Sequence, residues 1–349
     1  MPDPILLYGA YGYTGRLIAE AAREKGVELL LAGRDRGRLQ ALGKKLGLQV
    51  EACALDEAAK LEKLVARSSG VLHCAGPFSR TSEPMVRACL SVGRHYLDVT
   101  GEVEVFEALA KRDAQAKAKG IMLLPGVGFD VVPSDCLANH VSSRLEDAHW
   151  LTLAIHSRGA FSRGTLTTVV ENLPKGSLVR REGKLVPQRT GELTRDIDYG
   201  SGPLPSMGIP WGDLVTAYRS TGIENIEVLT TVPSRVAPLI VGRLGPHLGS
   251  SLAQGLLHKV LARLPEGPTP SQRASGSSHM YAEVRNRAGK VVRARLHGPD
   301  TYTLTRETAL HIASRVAKGE FKPGFQTPAT VYGADLVLGL EGFEREDLE

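Results

Sequence analysis

The sequence predicts an α/β protein: a doubly wound parallel sheet in its first part, then a second α+β domain containing a mainly antiparallel sheet. Three observations lead there. Short apolar runs alternate with amphipathic stretches of helical length through residue 144. A glycine-rich turn stands between the first apolar run and the first helical stretch. After residue 148 the pattern changes to segments that alternate apolar and polar side chains.

The apolar runs Ile5–Tyr8, 28–32, 48–52, 70–74, 95–99 and 121–124 are read as six strands, with helices filling the gaps. Parallel neighbours need such crossovers, whereas antiparallel ones need only a tight turn. A helix over 134–144 is opened by Pro133, Ser134 and Asp135, which places capping side chains ahead of the apolar periodicity. Further on, 150–155, 178–186 about Glu182 and Gly183, and 281–296 about Ala288 and Gly289 predict strands and hairpins. In the last of these Val292, Ala294 and Leu296 share one face, and Val291, Arg293 and Arg295 the other. Helices are expected again over 309–318 and 329–340. The stretch 265–278, rich in Pro, Gly and Ser, is expected to be a mobile loop. No internal repeat is found.

Of the 349 residues 42% are hydrophobic and 23% charged, which suits a folded chain of two domains. The 43 Lys and Arg exceed the 38 Asp and Glu by only 5, and they are spread rather than blocked, which excludes a nucleic-acid reader. Cys53, Cys74, Cys89 and Cys136 show neither C-x-x-C spacing nor a companion His cluster, so no metal site and no disulfide framework is expected. Met1, Pro2, Asp3 and Pro4 lack the basic start of a signal peptide, and no long uninterrupted apolar window is present. A cytoplasmic protein is expected, with peripheral membrane contact as an extension of that reading.

Gly9, Gly12 and Gly15 form the turn after the first strand, and Tyr11, Tyr13 and Thr14 fill its other positions. Glycines there allow a sharp turn and close approach to a pyrophosphate aimed at the helix N-terminus. The second strand ends in Gly33 and Arg34, where a fold selective for NAD would place a carboxylate for the ribose 2′-hydroxyl. A guanidinium suits a 2′-phosphate instead, with Arg38 near enough to help, so NADP is expected over NAD. Asp56 is read either as an adenine contact or as the N-cap of the next helix. Cys74, Ala75, Gly76 and Pro77 follow the fourth strand, Thr100 and Gly101 the fifth, and Gly128 and Phe129 the sixth. All three loops lie at the carboxyl edge, where ligands of such sheets bind, and each is also readable as a plain turn.

These residues resemble the saccharopine dehydrogenase-like oxidoreductases, and within them the branch that includes trans-acting enoyl reductases of lipid biosynthesis. The resemblance is carried by Gly12-Tyr13-Thr14-Gly15, Ala32-Gly33-Arg34, Ala75-Gly76-Pro77, Asp98 to Glu102, Gly128-Phe129-Asp130 and Pro133-Ser134-Asp135. In the second part it is carried by Pro210-Trp211-Gly212-Asp213, Tyr218 to Gly222, and Gly324 to Ala329 with Tyr332 and Asp335. It implies an NADP-binding Rossmann domain over 1–147, a substrate or oligomerisation domain over 148–308, and C-terminal helices over 309–349 that return to the first. Tyr11 stands where Thr or Ser is common in the family.

Hydride transfer to an enoyl or carbonyl group of a small-molecule or lipid-like substrate is the first functional expectation. A non-catalytic NADPH sensor or scaffold is the alternative. No Tyr is followed four residues later by Lys, so the proton-transfer pair of short-chain dehydrogenases is missing. Asp98, Thr100, Asp130, Asp213 and Ser220 are the candidates for handling the proton, with Asp130 and Asp213 preferred as catalytic residues. A homodimer is expected. The stretch 233–264, apolar with Arg235, Arg243, Lys259 and Arg263 around it, is read as two shorter helices joined near Gly245. It is open to three roles: the wall of an apolar pocket, a buried or dimeric surface, or a membrane contact.

Overall fold

The structure, a computed structural model, describes residues 3–349. The side chains of Leu173, Pro246, Ser251 and Leu252 also fall outside the described residues, and with them the Leu252 member of the apolar stretch. The chain divides into two units, one of residues 1–132 and 302–331 and one of residues 133–301 and 332–349.

The first unit runs β1 (Ile5–Tyr8), α1 (Tyr13–Glu24), β2 (Leu29–Gly33), α2 (Arg36–Leu46), β3 (Gln49–Ala52), α3 (Ala58–Ala66), β4 (Gly70–His73), α4 (Phe78–Val92), β5 (His95–Asp98), α5 (Val103–Ala110), α6 (Asp113–Ala118) and β6 (Met122–Leu124). The second opens with α7 (Val132–Ser142) and continues through β7 (Ala148–Arg158), α8 (Arg163–Asn172), β8 (Ser177–Arg181), β9 (Lys184–Gln188), β10 (Thr194–Asp198), β11 (Pro203–Gly208), α9 (Asp213–Thr221) and β12 (Asn225–Thr231). Then come α10 (Ala237–Leu244), α11 (Ser251–Leu261), α12 (Pro270–Ala274), β13 (Ser277–Asn286) and β14 (Val291–Pro299). Two elements, α13 (Thr301–Ala317) and β15 (Gly324–Phe325), return to the first unit; α14 (Pro328–Tyr332) follows, and β16 (Glu344–Leu348) closes the second.

The first sheet has seven parallel strands in the order β15-β6-β5-β4-β1-β2-β3. Its strand order reverses between β1 and β4, the place at which α/β sheets open a crevice for a ligand. β1, β2 and β4 are buried at every position, which is why they are continuous apolar runs without alternation. The seventh strand escapes sequence reading because it is two residues long: Gly324 pairs with Met122 and Phe325 with Leu123.

The second sheet follows the order β10-β11-β12-β7-β13-β14-β16, with β8 and β9 attached as a hairpin beside β12. It is antiparallel except between β12 and β7, which run parallel. Along β14, Ala294 and Leu296 are buried while Arg295 reaches Asp198 and Glu346, as the alternation requires.

Three expectations need correction. The unit boundary falls at residue 132 rather than 147, because α7 belongs with the second unit through Ser134, Asp135 and Asn139. The segment 265–278 is ordered by α12, whose Thr269 and Gln272 form a reciprocal capping box, with Gln272 N donating at 3.3 Å and Thr269 N at 2.8 Å. The helix over 329–340 stops at Tyr332, where Gly333 adopts φ 84°, and although α13 returns to the first unit as expected, the tail after residue 331 belongs to the second unit and ends in a strand of its sheet.

Candidate functional site

The carboxyl edge of the first sheet gathers the predicted glycine turns, and the surroundings of each glycine explain why a side chain is absent. Gly9 has φ 83° and lies so close to the loop after β4 that a Cβ would stand 2.8 Å from Ala75 N. A Cβ on Gly15 would run into the carbonyl oxygen of Gly9, so α1 enters tightly against its own loop. Gly12 is different. A Cβ there would meet a single atom, Gly9 O at 3.2 Å, so this position is less crowded than Gly9 or Gly15 although a side chain would still press on the loop. Gly12 is the N-cap of α1, no side chain caps that end, and its first turn carries no acid. A cradle that a Cβ would fill, at an uncapped helix N-terminus, fits the pyrophosphate of a dinucleotide.

Tyr11 and Tyr13 point to separate neighbours. The Tyr13 ring meets Tyr302 edge to face, with centroids 5.0 Å apart. The Tyr11 ring covers Gly33, where a Cβ would stand 2.6 Å from Cε1, and the Arg38 guanidinium lies 4.7 Å from the ring centroid. Arg38 also donates to the Tyr11 carbonyl at 3.3 Å. Asp35 caps α2 by accepting from Arg38 N at 3.0 Å, which fixes the turn that leaves Arg34, Arg36 and Arg38 exposed beyond β2. These guanidinium groups suit a phosphate. Asp56 does not serve as the N-cap: Glu57 takes that position, and its carboxylate accepts from Ala54 N at 2.7 Å. Asp56 is left exposed in the loop between β3 and α3.

The loop after β4 is held from below. His73 is fully buried among Tyr8, Phe78 and Tyr96, and burial lowers its pKa to about 3, so it is neutral. Its Nε2 contacts Thr81 Oγ1 at 3.1 Å, and that hydroxyl donates to Ala75 O at 2.6 Å. The N-terminus of α4, beside Cys74, Gly76 and Pro77, is capped by a carboxylate: Glu102 accepts from Phe78 N and Ser79 N, both at 2.8 Å. An anion therefore finds donors at α1 rather than at α4.

Asp98 and Thr100 are part of the loop framework. The buried Asp98 carboxylate accepts from Tyr96 Oη at 2.7 Å, Gly126 N at 2.9 Å and Thr100 N at 3.0 Å, linking the ends of β5 and β6. Burial raises its pKa to about 6 against those three donors. Thr100 Oγ1 accepts from Glu102 N at 3.1 Å. Gly128 lacks a side chain because α13 stands against it, with Thr305 Cγ2 2.8 Å from where a Cβ would be. Thr305 Oγ1 accepts from Phe129 N at 3.0 Å, and the Phe129 side chain is buried.

Asp130 ends this loop with its carboxyl against Gly101, whose Cβ would lie 3.1 Å from Asp130 Oδ2. Burial, followed by the charges of Glu102 and Asp98, raises its pKa to about 7. It is thus an acid that holds or releases a proton near neutrality. Asp213 lies in the second unit, fully buried in the first turn of α9, and accepts from Ser134 Oγ at 3.0 Å. Beside it Ser220 Oγ donates to Asp135 at 2.6 Å, so Asp213 and Ser220 belong to one polar seam between α7 and α9. Sequence reasoning missed His73, Thr81 and Thr305, and gave Glu102 no role of its own. They support the loops from elements whose spacing in the sequence carries no motif. Among the described residues, no cluster of His, Cys, Asp or Glu is arranged to hold a metal, and all four cysteines are free thiols.

Residues 5–124 match the family described as the saccharopine dehydrogenase NADP binding domain. Over nearly its whole length the chain is similar to the trans-acting enoyl reductase of Mycobacterium ulcerans (strain Agy99), at 34% identity across 399 aligned positions covering 96% of this chain and 95% of that protein. It is similar to the human saccharopine dehydrogenase-like oxidoreductase at 27% identity over 154 positions, 38% of this chain and 36% of that one. Among solved structures it resembles apo saccharopine dehydrogenase (L-Glu forming) from Saccharomyces cerevisiae. That likeness of fold has a TM-score of 0.68 at 11% identity and covers 99% of this chain and 100% of that one.

Proposed function

Because the chain belongs to the saccharopine dehydrogenase-like oxidoreductases, in their trans-acting enoyl reductase branch, we propose that it reduces a polarised enoyl or carbonyl group of a lipid-like small molecule. It is an NAD(P)-dependent oxidoreductase, and a purely non-catalytic sensor is not favoured. The observation that carries the cofactor reading is the cradle at Gly12, the uncapped N-terminus of α1, where a Cβ would meet only the Gly9 carbonyl oxygen, at 3.2 Å. Around it Gly9 and Gly15 set the turn, and Tyr13 and Thr14 open the helix whose N-terminal amides would face the pyrophosphate. Arg34 and Arg38 would hold the 2′-phosphate, with Gly33 and Tyr11 beside them and Asp56 at the adenine end. The loops of Cys74 to Pro77, Thr100 with Gly101, and Gly128 with Phe129 would border the nicotinamide half.

The chemistry such a cofactor supplies is hydride transfer. Completing the reduction of a double bond also requires one proton, and Asp130 is the residue suited to deliver it: it is half-buried at the sheet edge, and its pKa is raised to about 7. Asp213, though expected as a second catalytic group, is better suited to holding α7 against α9. The expected homodimer, the peripheral membrane contact through 233–264 and the cytoplasmic location extend this reading. Four free thiols suit a reducing compartment, and no helix among the described residues is long and apolar enough to cross a membrane.

Stopped-flow oxidation of NADPH against a panel of enoyl thioesters, enones and long-chain ketones tests the proposal. Substrate-dependent loss of absorbance with a long-chain member, absent from the Gly12→Val variant, is the expected result. Tight NADPH binding with no turnover on any member would favour the sensor instead.

A further inference from the structure

We propose that α10 and α11 dock on an anionic bilayer surface, an inference that rests on the reading of a lipid-like substrate and names the surface from which it would be taken. Both helices turn their apolar sides outward. In α10, Pro238 and Gly242 stand one turn apart and form the inner side: Pro238 is buried, and a Cβ on Gly242 would run into the carbonyl oxygen of Thr190. Helical phase then directs Leu239, Ile240 and Leu244 away from that contact. In α11 the inner side is fixed by Gln254, which donates to Val170 O at 3.1 Å and Leu248 O at 2.8 Å, and by the buried Leu261. Leu256 and Val260 fall opposite. These five large apolar side chains are between 50% and 65% exposed, so they line no cavity within the chain.

Charge decides which occupant such a surface takes. Residues 233–264 contain no Asp or Glu, whereas Arg243, Lys259 and Arg263 are exposed among the outward leucines and valine. Arg235 is engaged elsewhere, by the Asp196 carboxylate at 2.6 Å. Apolar side chains set between cations match the boundary of an anionic bilayer, where the former enter the acyl layer and the latter meet phosphates. A self-paired dimer interface would bring the same cations onto themselves with no acid of the segment to offset them.

Flotation of the full chain with phosphatidylcholine vesicles, with and without roughly a third phosphatidylglycerol, tests this. Recovery with the anionic vesicles at low salt should exceed that with neutral ones by about a hundredfold in affinity, as three surface cations imply, and should fall as salt is raised. Leu239→Glu with Leu256→Glu, and separately Arg243→Glu with Lys259→Glu, should abolish flotation while NADPH binding is retained as the check on folding. Absence of flotation at low salt, flotation of both variants like the parent, or light scattering showing a dimer that the leucine variant splits would each overturn the proposal. NADPH titration in the same samples bears on the cofactor reading separately: retained binding without flotation overturns the membrane surface alone.

Discussion

The Tyr11 ring and the Arg38 guanidinium are stacked with 4.7 Å between guanidinium carbon and ring centroid, and the ring in turn covers the Cα of Gly33. A long flexible cation beyond β2 is thereby held next to Arg34 before any ligand arrives. Exposed pairs of this kind contribute roughly 0.5–1 kcal/mol, so Tyr11→Ala should weaken NADPH binding by about twofold to fivefold and leave NADH unchanged. Tyr11→Phe keeps the ring and should bind as the parent does. Fluorescence titration of both cofactors checks this, and equal losses for NADPH and NADH would remove Tyr11 from the role.

Arg34 stands exposed just beyond β2, and that strand, Leu29–Gly33, carries no acid for a 2′-hydroxyl. Arg34→Ala should therefore weaken NADPH by about tenfold or more, the worth of charge-assisted hydrogen bonds to the 2′-phosphate, with NADH almost unaffected. The ratio of the two dissociation constants is the measurement.

The three turn glycines should separate by phenotype. Gly12→Val fills the cradle, so cofactor affinity should be lost while the thermal midpoint stays near that of the parent. Gly9→Val places a branched side chain at φ 83° against Ala75, and Gly15→Val drives one into the Gly9 carbonyl, so both should lower the midpoint by several degrees. Calorimetry beside cofactor titration distinguishes the two outcomes. A Gly12→Val protein with normal affinity would end the pyrophosphate assignment.

What was legible in the sequence follows from how local each signal is. β1, β2, β4 and β6 were visible because burial on both faces leaves short unbroken runs of mostly apolar residues, whereas the half-exposed β3 was visible through its place in the alternation of strands and helices. β15 was not, since two residues carry no period, and its place depends on Gly324 N donating to Ile121 O at 2.8 Å. Glycine turns were equally visible, but their surroundings were not: Gly12 and Gly128 look alike in sequence, while a Cβ on the first would meet only its own loop and a Cβ on the second would meet Thr305, 177 positions away. Asp213 was singled out for its motif, and only its fold neighbours disclose the seam with Ser134.

That seam gives Asp213 a test distinct from catalysis. Asp213→Ala removes the acceptor of the buried Ser134 hydroxyl, a loss of about 1–3 kcal/mol, and should lower the unfolding midpoint while leaving NADPH affinity near that of the parent. A variant that melts normally yet cannot turn over substrate would return Asp213 to the catalytic group.

Asp130 links stability, pH and rate. Its carboxyl titrates near 3.8 in an unfolded chain and near 7 in the fold, because burial and then the charges of Glu102 and Asp98 oppose ionisation. Between those values the folded protein holds the extra proton, so its contribution favours folding below about pH 4 and is lost as pH rises toward 7. Asp130→Asn removes the titration, and its midpoint should match the parent's at pH 4 and exceed it by several degrees at pH 8. The same proton serves the reaction. Reduction by the parent should slow as pH rises through about 7, whereas Asp130→Asn should be slower by about 10²- to 10⁴-fold and flat across that range. Paired melting curves and pH–rate profiles decide the matter: a stabilised variant with parental rates would make Asp130 a buried turn residue and leave the proton to water.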